Sequence, residues 1–364
     1  EDFRKILFTI GFPLSPFYSE AMKTRSFLYR RGILKSHRFP VPVISVGNLT
    51  MGGSGKTPVV IYLAEMLLAN GFKPAVVSRG YKGKTKADVT IVSNSKEILV
   101  GADEAGDEPV LIAKRVPGTV VATGKKRYLP CQNVISSFGC DVIILDDGFQ
   151  HLPVKRDIDL VLFDTVFFAG NSRVFPGGDL REPVKALSRS TAFLMTGVNK
   201  YNLSRTGKCI DLLHSKFPSK PVFKTGSRYL GAELVSPGKT KGPNKSVPLE
   251  ALPKKLIVSS GIANPERFLA ALDLDSISYL EFIPFPDHHN YSRRDIEFLN
   301  EKAEASGADG FLSTEKDLVR IADTGDFCQP AYSLPQYLTT ESDLDDYILN
   351  RIRKTSDLLN DSTG

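Results

Sequence analysis

The sequence predicts an α/β protein in which helices flank a mostly parallel sheet, with a second, smaller α/β/α domain joined by a hinge. Three features indicate this organisation. Short apolar runs alternate with helical stretches, a glycine-rich turn joins the first run to a helix, and a proline-rich stretch divides the chain. Strands that are apolar at nearly every position are typical of parallel sheets, because helices cover both faces of such sheets.

The first part of the chain supplies most of the predicted elements. Strands are expected at residues 41–47, 74–78, 119–122, 141–146, 158–164 and 191–196, and helices at 56–69 and 202–217. The second part repeats the alternation on a smaller scale, with strands expected at 254–259, 276–283 and 310–313 and helices at 265–272 and 293–305. Ser292 directly precedes the last of these helices and is an expected N-cap.

These elements divide the chain into four expected segments. Residues 1–40 form a basic amphipathic arm, 41–218 the larger domain, 219–253 a hinge region and 254–364 the smaller domain. The hinge is expected because five prolines and several glycines and lysines interrupt this stretch, which is typical of turns and short extended pieces.

Composition narrows the classes of protein. The chain has 364 residues, of which 41% are hydrophobic and 24% charged. It contains no apolar run of the roughly 18–20 residues that a membrane-spanning helix requires. The four cysteines form no ligand pair and are expected to be reduced thiols of a cytosolic protein. Basic residues are not concentrated outside the arm, which argues against nucleic-acid binding.

The net charge is concentrated in the N-terminal arm. Of the formal net charge of +6, residues 1–40 contribute +5, from eight basic and three acidic side chains. Apolar and aromatic side chains lie on one stripe of the predicted helix or beside it: Phe17, Tyr18, Ala21, Met22, Leu28 and Tyr29. Such a helix can bind an anionic membrane surface, or it can pack on the domain with a solvated basic face. The residues alone leave both interpretations open.

The glycine-rich turn is a candidate phosphate-binding loop. Residues 47–57 have the sequence GNLTMGGSGKT, which ends like G-x-x-x-x-G-K-[ST] but has Thr50 in place of the outer glycine. Its backbone N–H groups would bind nucleotide phosphates, Lys56 would bridge the β- and γ-phosphates, and Thr57 would bind Mg²⁺. The sheet is therefore expected to be of the P-loop type. The expected nucleotide-binding residues are Gly52, Gly53, Ser54, Gly55, Lys56, Thr57 and Pro58.

Two adjacent carboxylates end the strand predicted at 141–146. Asp146 and Asp147 follow four apolar residues, and this is where P-loop proteins hold the metal opposite the loop hydroxyl. Such pairs also occur as helix caps or turn formers. Together with the loop they indicate that Thr57, Asp146 and Asp147 bind Mg²⁺, and which aspartate binds it directly stays open.

Six further motifs accompany the loop in a fixed order. They are SRGYKGK (78–84), AGDEPVLIAKR (105–115), DDGFQH (146–151), FPGGDLREP (175–183), FPDHHNYS (285–292) and STEKD (313–317). The set resembles that of the tetraacyldisaccharide 4′-kinase family from about residue 30 to about residue 320. That family's loop typically lacks the outer glycine, so Thr50 is no departure from it.

The resemblance implies an activity and a location. The activity is transfer of the ATP γ-phosphate to the 4′-hydroxyl of tetraacyldisaccharide 1-phosphate, a glycolipid, in lipid A biosynthesis. The location is the cytoplasmic face of the bacterial inner membrane, with peripheral attachment, which favours the membrane interpretation of the arm. The implied cofactors are ATP and Mg²⁺, and no obligate protein partner is evident.

The resemblance also assigns catalytic residues. It implies that Asp107 of the GDE motif is the general base and that His288 of the DHH motif is its partner, with Lys56 on the phosphates. An imidazole can orient a carboxylate and help to remove its proton. From the residues alone, Asp107 is more readily a helix N-cap, and His288 is a loop imidazole with His289 as its rival.

The remaining candidates are polar side chains of the same motifs. Arg79, Tyr81 and Arg127 are predicted to hold the sugar and its 1-phosphate, because a guanidinium group binds phosphate in a bidentate way. The other predicted substrate or supporting residues are Glu108, Gln150, His151, Arg181 and Glu182. A turn, a surface ion pair or a solvated face explains each single residue equally well.

Two other functions remain as alternatives. The first is a membrane-associated P-loop ATPase switch without a lipid acceptor. Many such proteins carry a lysine early in the loop, where this chain has Thr50 and Met51, and they have little use for a DHH motif in a separate domain. The second is a soluble kinase of a small metabolite, which would leave the basic aromatic arm unexplained.

Overall fold

The chain folds into two compact units. The structure is a computed structural model that describes residues 2–52, 55–81, 83–235, 245–262, 264–287, 289–321, 326–341 and 343–361. The first unit comprises Glu1–Ser227 and Leu338–Gly364, and the second comprises Arg228–Tyr337.

The first unit is built on a sheet with nine strands among the described residues. These are β1 (Val43–Asn48), β2 (Pro74–Ser78), β3 (Thr90–Asn94), β4 (Val120–Thr123), β5 (Val142–Asp146), β6 (Ile158–Asp164), β7 (Ala192–Thr196), β8 (Val222–Tyr229) and, after the second unit, β15 (Gln336–Thr340). Their order is β15-β8-β7-β6-β1-β5-β2-β4-β3. The strands from β8 to β4 pair in parallel, and β3 is an antiparallel edge. The expected mostly parallel α/β fold is therefore confirmed.

Helices cover this sheet. They are α1 (Asp2–Gly11), α2 (Ser15–Arg30), α3 (Lys56–Ala69), α4 (Ala102–Ala105), α5 (Asp107–Arg115), α6 (Tyr128–Phe138), α7 (Leu203–Lys216) and α11 (Asp343–Asp361). Every residue of β1, β2, β5, β6 and β7 is buried, as expected of central parallel strands. The predicted helix at 56–69 and the predicted strands at 74–78 and 158–164 have the bounds that the sequence indicated.

The second unit is a smaller mixed sheet. Its strands are β9 (Ala232–Val235), β10 (Lys245–Val247), β11 (Leu256–Ser260), β12 (Glu281–Pro284), β13 (Gly310–Thr314) and β14 (Ala331–Leu334), in the order β10-β9-β14-β13-β11-β12. Its helices are α8 (Pro265–Leu274), α9 (Arg293–Ser306) and α10 (Glu315–Ile321). Ser292 and Asp295 form a capping box at the start of α9, as the N-cap prediction required. The strand expected at 276–283 is shorter than predicted, because only its end pairs with β11.

The units divide at positions other than those expected at 218 and 254. Although the segment 219–253 is rich in proline, it contains β8, which continues the first sheet beside β7. The C-terminal helix α11 also belongs to the first unit. Tyr347 on this helix packs against Phe223, with ring centroids 5.2 Å apart, and donates a hydrogen bond to the Thr191 carbonyl. Proline and glycine mark the ends of elements, but they do not indicate which sheet the next strand joins.

The N-terminal arm is helical and lies on the first unit. A short 3-10 helix (Phe12–Leu14) links α1 to α2. The Ser15 hydroxyl donates to the Val174 carbonyl and accepts from the Gly177 N–H, each at 2.8 Å. The arm also exposes large apolar side chains between residues 6 and 17: Ile6, Leu7, Ile10, Phe12, Leu14 and Phe17. None of the described helices is long and apolar enough to cross a membrane.

We expect Ile348→Ala to lower the free energy of unfolding by about 2–5 kcal/mol, because the side chain is fully buried on α11 and its loss leaves a cavity. The change is measured from urea denaturation. Leu358→Ala on the same helix is the control, since this leucine is 60% exposed and should change stability by less than about 0.5 kcal/mol. Equal effects of the two substitutions would contradict the docking of α11 onto the first sheet.

Candidate active site

The predicted site residues of the first unit lie at the carboxyl edge of its parallel sheet. β1 leads into the loop before Lys56, and β5 ends at Asp146 and continues to Asp147. β2 ends just before Arg79. Ligands of open α/β sheets bind at this edge, because loops from several strands converge there.

The glycine-rich loop is held in an extended conformation at its start. Thr50 forms a β-bridge with Leu180, and the Met51 N–H donates to the Asp179 carbonyl at 2.7 Å. The loop then turns through Gly52 and Gly55, which have φ values of +112° and +75°. A position with extended backbone does not require glycine, so Thr50 fits in the loop.

Lys56 is the first residue of α3, and Thr57 and Pro58 follow it in the first turn. The Lys56 ammonium donates to Asn48 Oδ1 at 3.1 Å and lies 3.4 Å from Asp147 Oδ1. Asn48 also donates to the Thr50 carbonyl at 2.8 Å, so it fixes both ends of the loop. The sequence analysis did not select Asn48, although a polar residue that ends an apolar strand beside the loop is a usable signal.

Asp147 is the centre of the ionic contacts. Its carboxylate accepts from Arg181 Nη1, which lies 2.9 Å from both oxygens, and its carbonyl accepts from Arg127 at 2.7 Å. Burial alone would raise the pKa of Asp147, but Lys56 and Arg181 lower it to about 2. Asp147 is therefore ionised and already paired with cations.

Asp146 has the opposite environment. It is 3% exposed, and its Oδ1 has no hydrogen-bond partner within the described part of the chain. Burial, followed by the charges of Glu108 and Asp147, raises its pKa to about 7. A buried, unsatisfied carboxylate beside two others suits a divalent cation, which would supply the missing positive charge.

The described residues contain no cluster of three or more His, Cys, Asp or Glu side chains arranged to hold a metal ion. This is compatible with Mg²⁺, which usually takes one or two carboxylates and completes its octahedron with phosphate oxygens and water. Of the predicted ligands, Asp146 has the unsatisfied oxygen and Thr57 lies in the first turn of α3. These two residues fit the ion best.

Asp107 is the first residue of α5, with Glu108 next to it, and both side chains are half-buried. Gly106 precedes them with a φ of +92°, and a Cβ at this position would lie 2.5 Å from the Tyr81 carbonyl. Only glycine therefore allows the 78–81 turn to approach the start of α5 this closely. This contact brings the SRGY and GDE motifs together. Arg79 and Tyr81 are exposed in this turn.

An arginine cluster surrounds His151. Burial first, and then the charges of Arg127, Arg156, Arg25 and Arg79, lower the pKa of His151 to about 3, so its imidazole is neutral. Within the described residues, neither His151 Nε2 nor the Nε of Arg127 has a hydrogen-bond partner, although Arg127 is only 4% exposed. The unsatisfied Arg127 donor, placed among several cations, fits an anionic ligand.

Gln150 and Glu182 have structural partners. Gln150 donates to the Asn48 carbonyl at 2.9 Å, and its own carbonyl accepts from Arg25 of α2 at 3.2 Å. Glu182 pairs with Arg189 at 2.6 Å, and Arg189 also donates to the Phe149 carbonyl at 2.9 Å. The sequence analysis missed Arg25 and Arg189. Arg25 was counted only as part of the basic arm, and no motif contains Arg189.

Three predicted site residues, Gly53, Ser54 and His288, lie outside the described residues. The rival histidine, His289, is described. Its Nε2 lies 3.2 Å from Asp295 Oδ2, and its ring stacks on Phe285 with centroids 4.8 Å apart. These contacts explain His289 as part of the loop before α9.

We expect Asp146→Asn to stabilise the metal-free protein increasingly as the pH rises from about 5 to about 8. The raised pKa means that the folded state binds this proton more tightly than the unfolded state. The stability from this group is complete below its ordinary pKa and is lost as the pH rises through about 7. Urea denaturation in chelator measures the change.

Asp159→Asn serves as the control, because Asp159 is equally buried but lies 2.8 Å from Arg156. This substitution should destabilise the protein, since it removes one partner of a buried ion pair. If the curves of Asp146→Asn and the parent run parallel from about pH 5 to about pH 8, Asp146 has no raised pKa.

Comparisons with known proteins identify the family. The family model described as LpxK, tetraacyldisaccharide-1-P 4′-kinase, matches residues 7–353. The tetraacyldisaccharide 4′-kinase of Desulfotalea psychrophila is 46% identical over 351 residues, covering 95% of this chain and 97% of the relative. That of Syntrophus aciditrophicus is 40% identical over 323 residues, covering 87% and 85%.

A solved structure is similar over nearly the same length. The "apo" form of LpxK from Aquifex aeolicus, solved in complex with ATP, has a TM-score of 0.74 and 31% identity. The match covers 94% of this chain and 98% of that protein. The chain therefore belongs to the tetraacyldisaccharide-1-P 4′-kinase family, a family of ATP-dependent phosphotransferases.

Proposed function

We propose that the protein transfers the γ-phosphate of ATP to the 4′-hydroxyl of tetraacyldisaccharide 1-phosphate, using the residues at the carboxyl edge of the first sheet. The observation that carries this assignment is the convergence of Lys56, Asp146 and Asp147 at the ends of β1 and β5. A lysine at a helix start and carboxylates at the adjacent strand end are the elements that P-loop phosphotransfer requires.

The nucleotide phosphates bind in the loop before α3. The N–H groups at the start of α3 and the positive end of its dipole favour phosphate, and the glycines at 52 and 55 provide left-handed turns. Lys56, now 3.4 Å from Asp147, would contact the transferred phosphate. The ATP complex of the Aquifex relative supports ATP as the nucleotide.

Mg²⁺ would be held by the Thr57 hydroxyl and the Asp146 carboxylate, with Asp147 beside them. When bound, the ion neutralises charge on the β- and γ-phosphates. Asp147 is paired with Arg181 and Lys56, whereas Asp146 Oδ1 is unsatisfied among the described residues. This contrast favours Asp146 as the direct ligand.

Asp107 is the general base of the proposed reaction. The 4′-oxygen forms a bond to the γ-phosphorus, the bond from that phosphorus to the bridging oxygen of ADP breaks, and the hydroxyl proton passes to the Asp107 carboxylate. The position of Asp107 at the start of α5, next to Glu108 whose charge reaches Asp146, supports this role. We propose His288 as its partner, which orients the carboxylate and helps to remove the proton.

The acceptor is proposed to place its anionic 1-phosphate near the cluster around His151. Arg79, Arg127 and the arm residue Arg25 supply positive charge there, and His151 stays neutral as a hydrogen-bonding group. Tyr81, which is 65% exposed near Arg79, is proposed to contact the sugar. Gln150, Arg181 and Glu182 support this region through Asn48, Asp147 and Arg189.

Incubation with γ-labelled ATP, Mg²⁺ and tetraacyldisaccharide 1-phosphate in detergent micelles tests the proposal. We expect a labelled bisphosphorylated lipid from the parent and a loss of at least about 10³-fold in Lys56→Ala, because the lysine stabilises charge that develops in the transition state. Lys208→Ala on α7 is the control, since this lysine is exposed and takes part in none of the contacts of the site described above.

Asp107→Asn in the same assay should reduce turnover by about 10²–10⁴-fold, the usual contribution of a general base. Release of the label only as free phosphate would contradict a lipid acceptor and favour the ATPase switch. Equal activity of the parent and Lys56→Ala would contradict the assignment of the loop.

We further propose that the arm binds an anionic membrane surface, at the cytoplasmic face of the inner membrane, and so brings the site to its lipid. The six exposed apolar side chains between residues 6 and 17 support this, with exposed fractions from 44% to 75%. Arg30 and Arg31 lie within 6 Å of the Phe27 ring, which combines apolar and cationic groups on one surface. Apolar anchoring with basic neighbours is typical of interfacial helices.

We expect Ile10→Glu with Phe17→Glu to abolish flotation with vesicles that contain anionic lipid, because these are the two most exposed apolar side chains of the arm. Phe298→Glu is the control, since this phenylalanine is 43% exposed on α9 of the second unit. Unchanged flotation of the arm variant would contradict the proposal. So would an equal loss in the control.

A further inference from the structure

The DHH motif lies in the loop between β12 and α9 of the second unit, and the described residues of this loop form a compact cluster. Phe285 packs against His289 and Tyr291, with ring centroids 4.8 Å and 5.0 Å apart. His289 and Tyr291 meet edge to face at 5.0 Å. Asp295 ties the end of the loop to α9 by accepting from the Ser292 N–H at 2.6 Å. His289 and Tyr291, which follow position 288, are therefore packed against Phe285 at the start of the loop.

A buried carboxylate from another motif lies beneath this loop. Asp317 of the STEKD motif is fully buried in α10. It accepts from the Gly261 N–H at 3.1 Å, just after β11, and from the Thr314 hydroxyl at 2.6 Å, at the end of β13. Arg320 lies 3.6 Å from the same carboxylate. Asp317 therefore joins the carboxyl ends of two neighbouring parallel strands.

The loop of the DHH motif and this carboxylate both lie against Gly261. A Cβ on Gly261 would lie 3.1 Å from Asp317 Oδ1, 3.1 Å from the Pro286 carbonyl and 3.2 Å from the Tyr291 hydroxyl. The Tyr291 hydroxyl is buried and lies close to the carboxylate without the geometry of a hydrogen bond to it. Burial and the charge of Asp317 raise the pKa of this hydroxyl, so it is neutral.

Burying an ionisable group such as Asp317 costs folding free energy, and a purely structural role does not require such a group. Burial raises the pKa of Asp317, although Thr314, the Gly261 N–H and Arg320 oppose the shift. Buried ionisable groups are rarely more stabilising than apolar side chains of the same volume. They can fix one conformation, however, because each hydrogen bond is lost if the partner moves.

We propose that Asp317, together with Tyr291 and through its contacts at Gly261, is a positioning residue that fixes the loop of the DHH motif at the carboxyl edge of the second sheet. The inference rests on the proposed role of His288 in proton transfer. Asp317 then acts through this loop and touches neither nucleotide nor acceptor. The STEKD motif thereby acquires a role in the kinase reaction.

Gly261→Ala tests the inference without removing a hydrogen bond. The new methyl group must displace the Pro286 carbonyl or the Asp317 and Tyr291 oxygens by a few tenths of an ångström. We expect a fall in kcat of about tenfold or more, because small displacements of catalytic groups are costly. The KM for ATP should stay within about twofold, since substrate binding is not the step affected.

Gly310→Ala is a closely matched control. Its Cβ would meet the Pro330 carbonyl at 3.1 Å and the Leu256 and Tyr332 side chains at 3.2 Å, so the crowding is the same. Gly310 starts β13 and so lies at the amino end of that strand. We expect kcat of this variant within about twofold of the parent and an equal fall in melting temperature in both variants.

A double-mutant cycle with His288→Ala separates positioning from general damage. If Gly261→Ala acts through His288, adding it to His288→Ala should change kcat by less than about twofold, because the two effects then share one mechanism. Asp317→Asn should behave in the same way. A tenfold fall that persists in the His288→Ala background would overturn the inference, as would equal kcat values of Gly261→Ala and Gly310→Ala.

The same experiment distinguishes failure of the proposed function. A parent without lipid phosphorylation would refute the kinase assignment itself. If the parent is active and His288→Ala keeps full activity, the proposed role of His288 is wrong and the inference falls with it. If His288→Ala is impaired but the cycle is additive, the kinase proposal stands and only the positioning role is refuted.

Discussion

The carboxylate of Asp147 is the contact on which the geometry of the candidate site depends. It follows the buried strand β5 with a φ of +51°, a conformation that few residues other than glycine adopt. From this position its oxygens meet Arg181 and Lys56, and its carbonyl meets Arg127. Three separate segments of the chain are held by one residue. Without it, three cations would face each other at the edge of the sheet.

The segment 179–181 connects this ionic centre to the phosphate loop. Arg181 contacts Asp147 through its side chain, while its N–H donates to the Leu49 carbonyl at 2.8 Å. Leu180 forms the bridge to Thr50. The loop therefore begins in a short sheet-like pairing. Its hydrogen bonds hold the backbone extended at Thr50, where the strict pattern has a conformationally free glycine. This pairing explains why the strict loop pattern is not required here.

The arm is part of the same network. Arg25 on α2 donates to the Gln150 carbonyl, and the Gln150 side chain donates to the carbonyl of Asn48, which in turn binds Lys56. A series of hydrogen-bonded residues thus runs from α2, the helix that carries Phe17, to the phosphate loop. A membrane surface bound by the arm would be held at a fixed distance from the reacting groups.

The sequence was sufficient to predict the parallel sheet, the loop and the convergence of its polar residues, because each follows from local patterns. Strands that are apolar at nearly every position, such as β5, and the start of α3 at Lys56 are local features. The position of β8 and the return of α11 to the first unit were not predictable, since they depend on which sheet buries Phe223 and Ile348. Arg25 and Arg189 were missed for the same reason. Arg25 contacts a carbonyl 125 residues away, and Arg189, although it also pairs with the nearby Glu182, contacts a carbonyl 40 residues away.

The arrangement of charged side chains in the free site indicates how it can bind a triphosphate. Lys56 and Asp147 are 3.4 Å apart, and the Asp147 side chain is 34% exposed, so solvent screens part of their attraction. Arg181 remains on Asp147 when the lysine leaves it. The lysine can therefore exchange the carboxylate for a phosphate at little cost. Asp146, buried beside Glu108 and Asp147 with an unsatisfied oxygen, gains most from a cation that arrives with that phosphate. Asp146 is thus destabilising in the free site and becomes favourable when the cation binds. Part of the binding energy therefore acts on a group that takes part in the chemistry.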